Sequence, residues 1–227
     1  MKKYVLINGK IKKFKKKITV SADKSLSIRW VLMAAQAVGQ SIAYNLLNSD
    51  DVNNALNAVK KLGVKVIKKK NLCQINGVGL NGFSLKNNTI IDAGNSGTLA
   101  RLIFGVLAKS NKTIILKGDK SLSKRDFSRV IKPLKKFGLS FKSNKNNLPL
   151  KFKGTNYLSP IKYEELKGSA QVKSCILLAA LNTPGKTIIR CIPSRDHTER
   201  LFKFLNLPIK IKNKKKYQII ELTGQKQ

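Results

Sequence analysis

The chain has 227 residues, 42% of them hydrophobic, and its 46 Lys and Arg against 11 Asp and Glu give a formal charge of +35. That length suffices for a sizeable core, but the longest apolar stretches, such as CILLAALN at Cys175, fall well short of the roughly 20 residues of a membrane span. One histidine, His197, has no acid or nucleophile at triad spacing, and Cys73, Cys175 and Cys191 lack the paired spacing of a zinc site or disulfide framework.

In chain order, residues 1–20 suggest two β segments, YVLING and KITV, separated by lysines. YVLI is too short for a signal-peptide core of about 7 to 15 residues, so a cytoplasmic protein with reduced thiols is expected. A first helix follows from SLSIR at Ser25, with Leu26, Trp30, Met33 and Ala37 as its expected core stripe. Then come a β-rich run at Gly39 and a second helix in SDDVNNALNAVKKLG. GTLAR at Gly97 opens the next long helix, with Leu99, Leu102, Ile103, Val106 and Leu107 on one stripe, before NKTIILKG and SKRDFSRVIKPLKKFG. SAQVK at Ser169 opens a third, with Val172, Ile176, Ala179 and Ala180, before GKTIIRCI and SRDHTERLFKFLN. Further strands are expected at VKVIKK, LCQING, LSFKS, LPLKFKG, IKIKN and YQIIEL, with Gly and Asn between them.

SLSIR, GTLAR and SAQVK begin 72 residues apart, from 25 to 97 and from 97 to 169, and each ends in a cation. The order helix, strand, acidic start and second helix recurs after each, so one unit is used three times in a single α/β body. Asp51, Asp126 and Asp196 share the acidic position, where an N-cap role accounts for Asp51 but not for the cations Arg125 and Arg195 nearby. The lysines are spread over loops and surfaces, with few aromatics between them for base stacking, and read as a solvated background. Arginine is more telling: Arg29, Arg101, Arg125 and Arg195, four of seven, lie at helix entries. A planar fork at a helix start suits phosphate or carboxylate. SADKSLSIR offers Lys24, Ser25, Ser27 and Arg29; DAGNSGTLAR adds Gly94, Gly97, Thr98 and Arg101; GSAQVKS adds Ser169, Gln171 and Lys173. Threefold packing is expected to gather these starts on one face, a site for a multiply charged small metabolite.

Five motifs in order, ADKSLSIR, DAGNSGTLAR, GDKSLSKRDF, GSAQVKSCILLAALNTPG and SRDHTE, make the chain resemble the N-terminal half of EPSP synthase, 3-phosphoshikimate 1-carboxyvinyltransferase. The resemblance covers nearly all of the chain. It implies an inside-out α/β barrel lobe of three pseudo-threefold βαβαββ repeats, about 19–91, 92–160 and 161–227, with residues 1–18 a strand segment belonging to a second lobe. It also implies transfer of enolpyruvyl from phosphoenolpyruvate to the 5-hydroxyl of shikimate 3-phosphate, with release of phosphate, in chorismate and aromatic amino-acid biosynthesis. The partners implied are those two small molecules and a complementary C-terminal lobe, without which the chain is expected to bind weakly and turn over little.

Carried over by motif, Lys24 is the catalytic cation and touches both substrates. Ser25, Arg29, Ser169, Ala170, Gln171 and Arg195 hold shikimate 3-phosphate, and Gly97, Arg125 and Gln171 hold phosphoenolpyruvate. Asn95, Thr98, Arg101 and Ser194 support that wall. The roles of Lys173 and His197 stay open, Lys173 being read first as a structural cation. No metal or other cofactor is called for. The alternatives are a UDP-N-acetylglucosamine enolpyruvyl transferase lobe, which carries a different residue pair at the Lys24-Ser25 turn, and a basic nucleic-acid-binding protein, whose affinity would fall steeply with salt.

Overall fold

The computed structural model describes residues 4–6, 8–10, 13, 15, 17, 18 and 20–224. Three long helices form the middle of the molecule: α1 (Lys24–Gln36), α3 (Gly97–Val106) and α6 (Ala170–Leu181). Between them lie β1 (Val38–Tyr44), α2 (Asp50–Lys61), β2 (Lys65–Lys68), β3 (Leu72–Val78) and β4 (Thr89–Asp92), and then β5 (Thr113–Lys117), the short α4 (Lys120–Ser123), α5 (Ser128–Phe137), β6 (Ser140–Lys142), β7 (Leu150–Lys153) and β8 (Lys162–Glu165). After α6 come β9 (Gly185–Cys191), α7 (His197–Phe204), β10 (Ile209–Asn213) and β11 (Gln218–Gly224).

The strands form three sheets, ordered β1-β3-β2, β4-β5-β7-β6 and β10-β11-β9-β8. β4 runs parallel to β5 and β8 parallel to β9; the other pairings are antiparallel. Each sheet follows or flanks one central helix, which explains the alternation of apolar helices with half-buried strands. α6 is apolar almost all round and buries ten of its twelve residues, Val172 to Leu181, because α3, α5, β9 and β11 surround it. The approach of α3 to α6 depends on Gly105, where an added Cβ would stand 2.3 Å from the Cys175 carbonyl oxygen. No described helix is long and apolar enough to cross a membrane.

The expected stripes of α3 and α6 are buried, as are Phe127, Val130, Leu134 and Phe137 around α5. On α1 the structure corrects the expectation. Leu26 is 44% exposed, Trp30 and Met33 are half-buried, and the core face is Ile28, Val31, Leu32 and Ala35. α1 has apolar residues on two faces, and packing against α2 and α3 selects the one that periodicity ranked second. β4 and β8 were not foreseen, since TIID and KYEE are four residues each and KYEE is charged at three of its four positions. The strands expected in 1–20 are not found among the described residues there, where Tyr4, Val5, Leu6, Ile18 and Val20 are 69–90% exposed; Ile7 and Thr19 of those segments lie outside the described residues.

Candidate functional site

The three central helices start at Lys24, Gly97 and Ala170, from 24 to 97 and 97 to 170, 73 residues each time. Asp23, Ser96 and Ser169 are their N-caps, accepting from the amides of Leu26 (2.7 Å), Leu99 (3.3 Å) and Val172 (3.4 Å). The 72-residue motif interval therefore slips by one against the helices. Arg29 is the sixth residue of α1, Arg101 the fifth of α3 and Lys173 the fourth of α6, so at about 100° per residue the three cations point in different directions.

Side-chain contacts tie the helix starts together. Gln171 Nε2 donates to Thr98 Oγ1 at 3.2 Å, joining α6 to α3. Arg29, 5% exposed, donates from Nε to Thr198 Oγ1 (2.8 Å), from Nη2 to Ser174 Oγ (3.0 Å) and from Nη1 to the Ser25 carbonyl (3.0 Å). Burial lowers its pKa from the ordinary value, Glu199 opposes that, and Arg195 adds to it. Lys24 Nζ meets Asp51 Oδ2 at 2.8 Å at a partly open position. Asp51 is therefore a lysine partner inside the first turn of α2, and Ser49, the N-cap there, makes no side-chain capping bond.

Gly97 lies between two guanidinium groups: a Cβ built on it would be 3.0 Å from Arg101 Nη1 and 3.0 Å from Arg125 Nη1. Arg101 also donates to the Gly97 carbonyl at 3.2 Å and sits over the Phe127 ring, 5.0 Å from its centroid. Burial, followed by Arg125 and Arg129, holds its guanidinium below the ordinary pKa. A crowd of like charges beside a small residue is relieved by an anion. Asn95 donates to Asp119, the N-cap of α4, and so braces the turn that carries Arg125. Asp126, expected as a helix start, precedes the α5 N-cap Phe127; the hydroxyl and amide of Ser128 hold its carboxyl below the ordinary range.

Ser169 and Ala170 form the start of α6, and the Ala170 carbonyl accepts from Ser174 Oγ at 2.7 Å. Arg195 and His197 stand at the entry to α7, Arg195 exposed and His197 half-buried, while Ser194 Oγ is buried with no partner among the described residues. Motif reading passed over three acids or hydroxyls that organise this face. Glu165, 5% exposed, accepts from the Ser169 amide at 2.7 Å and pairs with Arg129 at 2.9 Å. Thr198 and Glu199 are buried behind Arg29. The available signal was rarity, because an acid beside a motif stands out in a chain with 11 acids and 46 bases.

The three thiols are buried and unpaired, and burial pushes Cys175 up to about 12. At pH 8 on the order of one Cys175 in ten thousand is then thiolate, and the thiolate is the reactive form. Ellman's reagent is expected to leave Cys175 unmodified in the folded protein and to titrate all three cysteines once it is unfolded; rapid native modification of Cys175 would contradict this packing. Among the described residues no three His, Cys, Asp or Glu side chains cluster as metal ligands do.

The fold and this cluster define a mixed α/β protein with a cationic face built on helix starts. The family model described as EPSP synthase (3-phosphoshikimate 1-carboxyvinyltransferase) matches residues 9–227. The chain belongs to the EPSP synthase family. It is 44% identical over 204 residues to a 3-phosphoshikimate 1-carboxyvinyltransferase of Ruthia magnifica, covering 89% of this chain and 46% of the relative. It is 42% identical over 209 residues to the protein of that name from Clostridium tetani, covering 92% and 47%. An EPSP synthase structure from Acinetobacter baumannii superposes with a TM-score of 0.83 at 35% identity, over 94% of this chain and 48% of that one. The chain thus spans about half the length of the relatives it matches.

Proposed function

We propose that the chain is one lobe of a 3-phosphoshikimate 1-carboxyvinyltransferase, transferring enolpyruvyl from phosphoenolpyruvate to the 5-hydroxyl of shikimate 3-phosphate in the route to chorismate. The observation that carries this reading is Gly97 between the tips of Arg101 and Arg125, beside the Gln171–Thr98 bond, at the meeting of two helix starts. Backbone amides and guanidinium forks there suit a phosphate. Gly97, Arg125 and Gln171 take the phosphoenolpyruvate phosphate. Arg29, Ser25, Ser169, Ala170, Gln171 and Arg195 take shikimate 3-phosphate, with Asn95, Thr98, Arg101 and Ser194 in support. Lys24 reaches both substrates and serves the proton transfers. The 5-hydroxyl oxygen bonds to C2 of phosphoenolpyruvate as its methylene carbon gains a proton and the hydroxyl gives one up. The tetrahedral adduct then loses a methyl proton and expels phosphate.

This lobe is an inside-out arrangement of three βαβαββ units, a reading supported by the 73-residue steps and by one sheet per central helix. Residues 1–18 belong with a complementary C-terminal lobe, which supplies an acidic partner and further cations, and the location is cytoplasmic. The test is phosphate release from the two substrates by the chain alone, by the C-terminal half of a relative alone, and by the mixture. Release only in the mixture is expected. Release by the chain alone would overturn the need for a second lobe, and none in any arm would overturn the enzymatic reading. In the active mixture, Gly97→Ala is expected to raise the phosphoenolpyruvate KM by about tenfold with folding intact. Its methyl displaces two flexible guanidinium tips by a few tenths of an ångström, and a small misplacement of a binding group weakens anchoring markedly.

A further inference from the structure

Lys173 and Glu199 are 0% and 2% exposed, with Lys173 Nζ 2.5 Å from Glu199 Oε1. Neither Nζ nor either carboxylate oxygen has any other polar partner among the described residues. The pair lies in sequence beside the two hydroxyls that hold Arg29: Ser174 follows Lys173, and Thr198 precedes Glu199. The hydroxyl chain has one direction. Arg29 donates to both, Thr198 donates to Ser174 at 2.7 Å, and Ser174 donates to the Ala170 carbonyl at 2.7 Å. No hydroxyl proton is left over, and of the five N–H groups of Arg29 two remain free of these bonds.

We infer that the Lys173–Glu199 pair is a positioning unit for Arg29: Lys173 consumes the charge of Glu199, so that Arg29, clamped on Ser174 and Thr198, turns its own charge and two free donors to an anionic acceptor. Stability alone does not call for such a pair, because well-packed apolar residues generally serve as well in its place. Without Lys173, the Glu199 carboxylate acts uncompensated on Arg29, which already feels its charge, and a guanidinium drawn to it leaves its hydroxyl partners. The inference rests on the proposed function only for the identity of the ligand.

The test uses this chain with two readouts, the Nε–H resonance of Arg29, assigned by its disappearance in Arg29→Lys, and calorimetric titration with shikimate 3-phosphate. Lys173→Met is expected to shift that resonance and weaken binding by about tenfold or more, as loss of one member of a buried charge pair does. The double variant Lys173→Met/Glu199→Gln, which removes both charges, is expected to restore both readouts. A purely structural pair would leave the resonance and affinity of folded Lys173→Met unchanged, or would leave the double variant as impaired as the single, and either result overturns the inference. If Lys173→Met does not fold, Glu199→Gln carries the test, since the uncompensated Lys173 then repels Arg29 and shifts the same resonance. A resonance that responds as expected in a chain that does not bind shikimate 3-phosphate would reject the ligand and leave the positioning role standing.

Discussion

Gly154→Ala is expected to destabilise the protein by at least about 1–3 kcal/mol, the range for overpacking a well-filled interior. The added Cβ would stand 2.1 Å from the Ala108 carbonyl oxygen and 2.7 Å from that of Ser110. Both obstacles are backbone, so no side chain can swing aside. The contact is also bonded, because the neighbouring Thr155 amide donates to Ala108 at 3.0 Å and so closes the chain beyond α3. The same crossing occurs twice more. Gly77 in β3 would put its Cβ 2.2 Å from the Ala34 carbonyl and 2.3 Å from that of Ala37 at the end of α1; Gly224 in β11 would put it 1.8 Å from Thr183 and 2.2 Å from Ala180 at the end of α6. In each sheet the returning strand crosses the end of the central helix at a distance only glycine permits. Denaturant titration of Gly77→Ala and Gly224→Ala is therefore expected to give losses similar to Gly154→Ala, each kcal/mol lowering Tm by about 2–4 °C. Lys151→Ala, on the exposed face of β7, is the control and is expected to stay within about 0.5 kcal/mol of the parent. A Gly154→Ala protein as stable as its parent would mean that strand and helix end do not meet in this way.

That arrangement shows what a sequence exposes and what it hides. The regular spacing of α1, α3 and α6 was legible because each of these helices has to be capped and to bury apolar residues, and those needs fall on recognisable residue types. The one-residue slip was not, because the cations at Arg29, Arg101 and Lys173 recur every 72 residues as regularly as the caps Asp23, Ser96 and Ser169 recur every 73, and only the caps fix where a helix begins. Periodicity failed on α1 for a related reason: a central helix wrapped by neighbours is apolar on more than one side, and tertiary packing decides between the faces. The glycine crossings were invisible, since an unremarkable glycine in a strand carries no mark of the carbonyl it approaches. In the candidate site the motif cations were legible, whereas the pairing of the acids was not: Asp51 reads as a helix cap and not as the partner of Lys24, and Glu165 and Glu199 received no role. Each touches its partner from an element distant in sequence.

Lys24→Met is expected to reduce phosphate release by the reconstituted two-lobe enzyme by about 10² to 10⁴-fold, the usual range for a proton-transferring group, with little change in the stability of the lobe. The two effects separate because of where Lys24 sits. Its contact with Asp51, at 2.8 Å, is half exposed on the lysine side, and exposed ion pairs contribute only about 0–1 kcal/mol to folding. The same contact has a functional consequence. Asp51 holds the ammonium at the first residue of α1, where the positive end of the helix would otherwise drive it outward. Asp51→Asn is therefore expected to leave the ammonium present but poorly placed, with kcat falling less than in Lys24→Met and neither KM changing in proportion. If Lys24→Met lost stability and activity together, the lysine would be a structural cation. If it lost neither, proton transfer would have to come wholly from the complementary lobe, and the Lys24–Asp51 contact would be an ordinary surface pair. A large fall in kcat at saturating substrate and unchanged stability is the outcome that assigns Lys24 to the chemistry, because lost ground-state binding would raise KM and spare kcat.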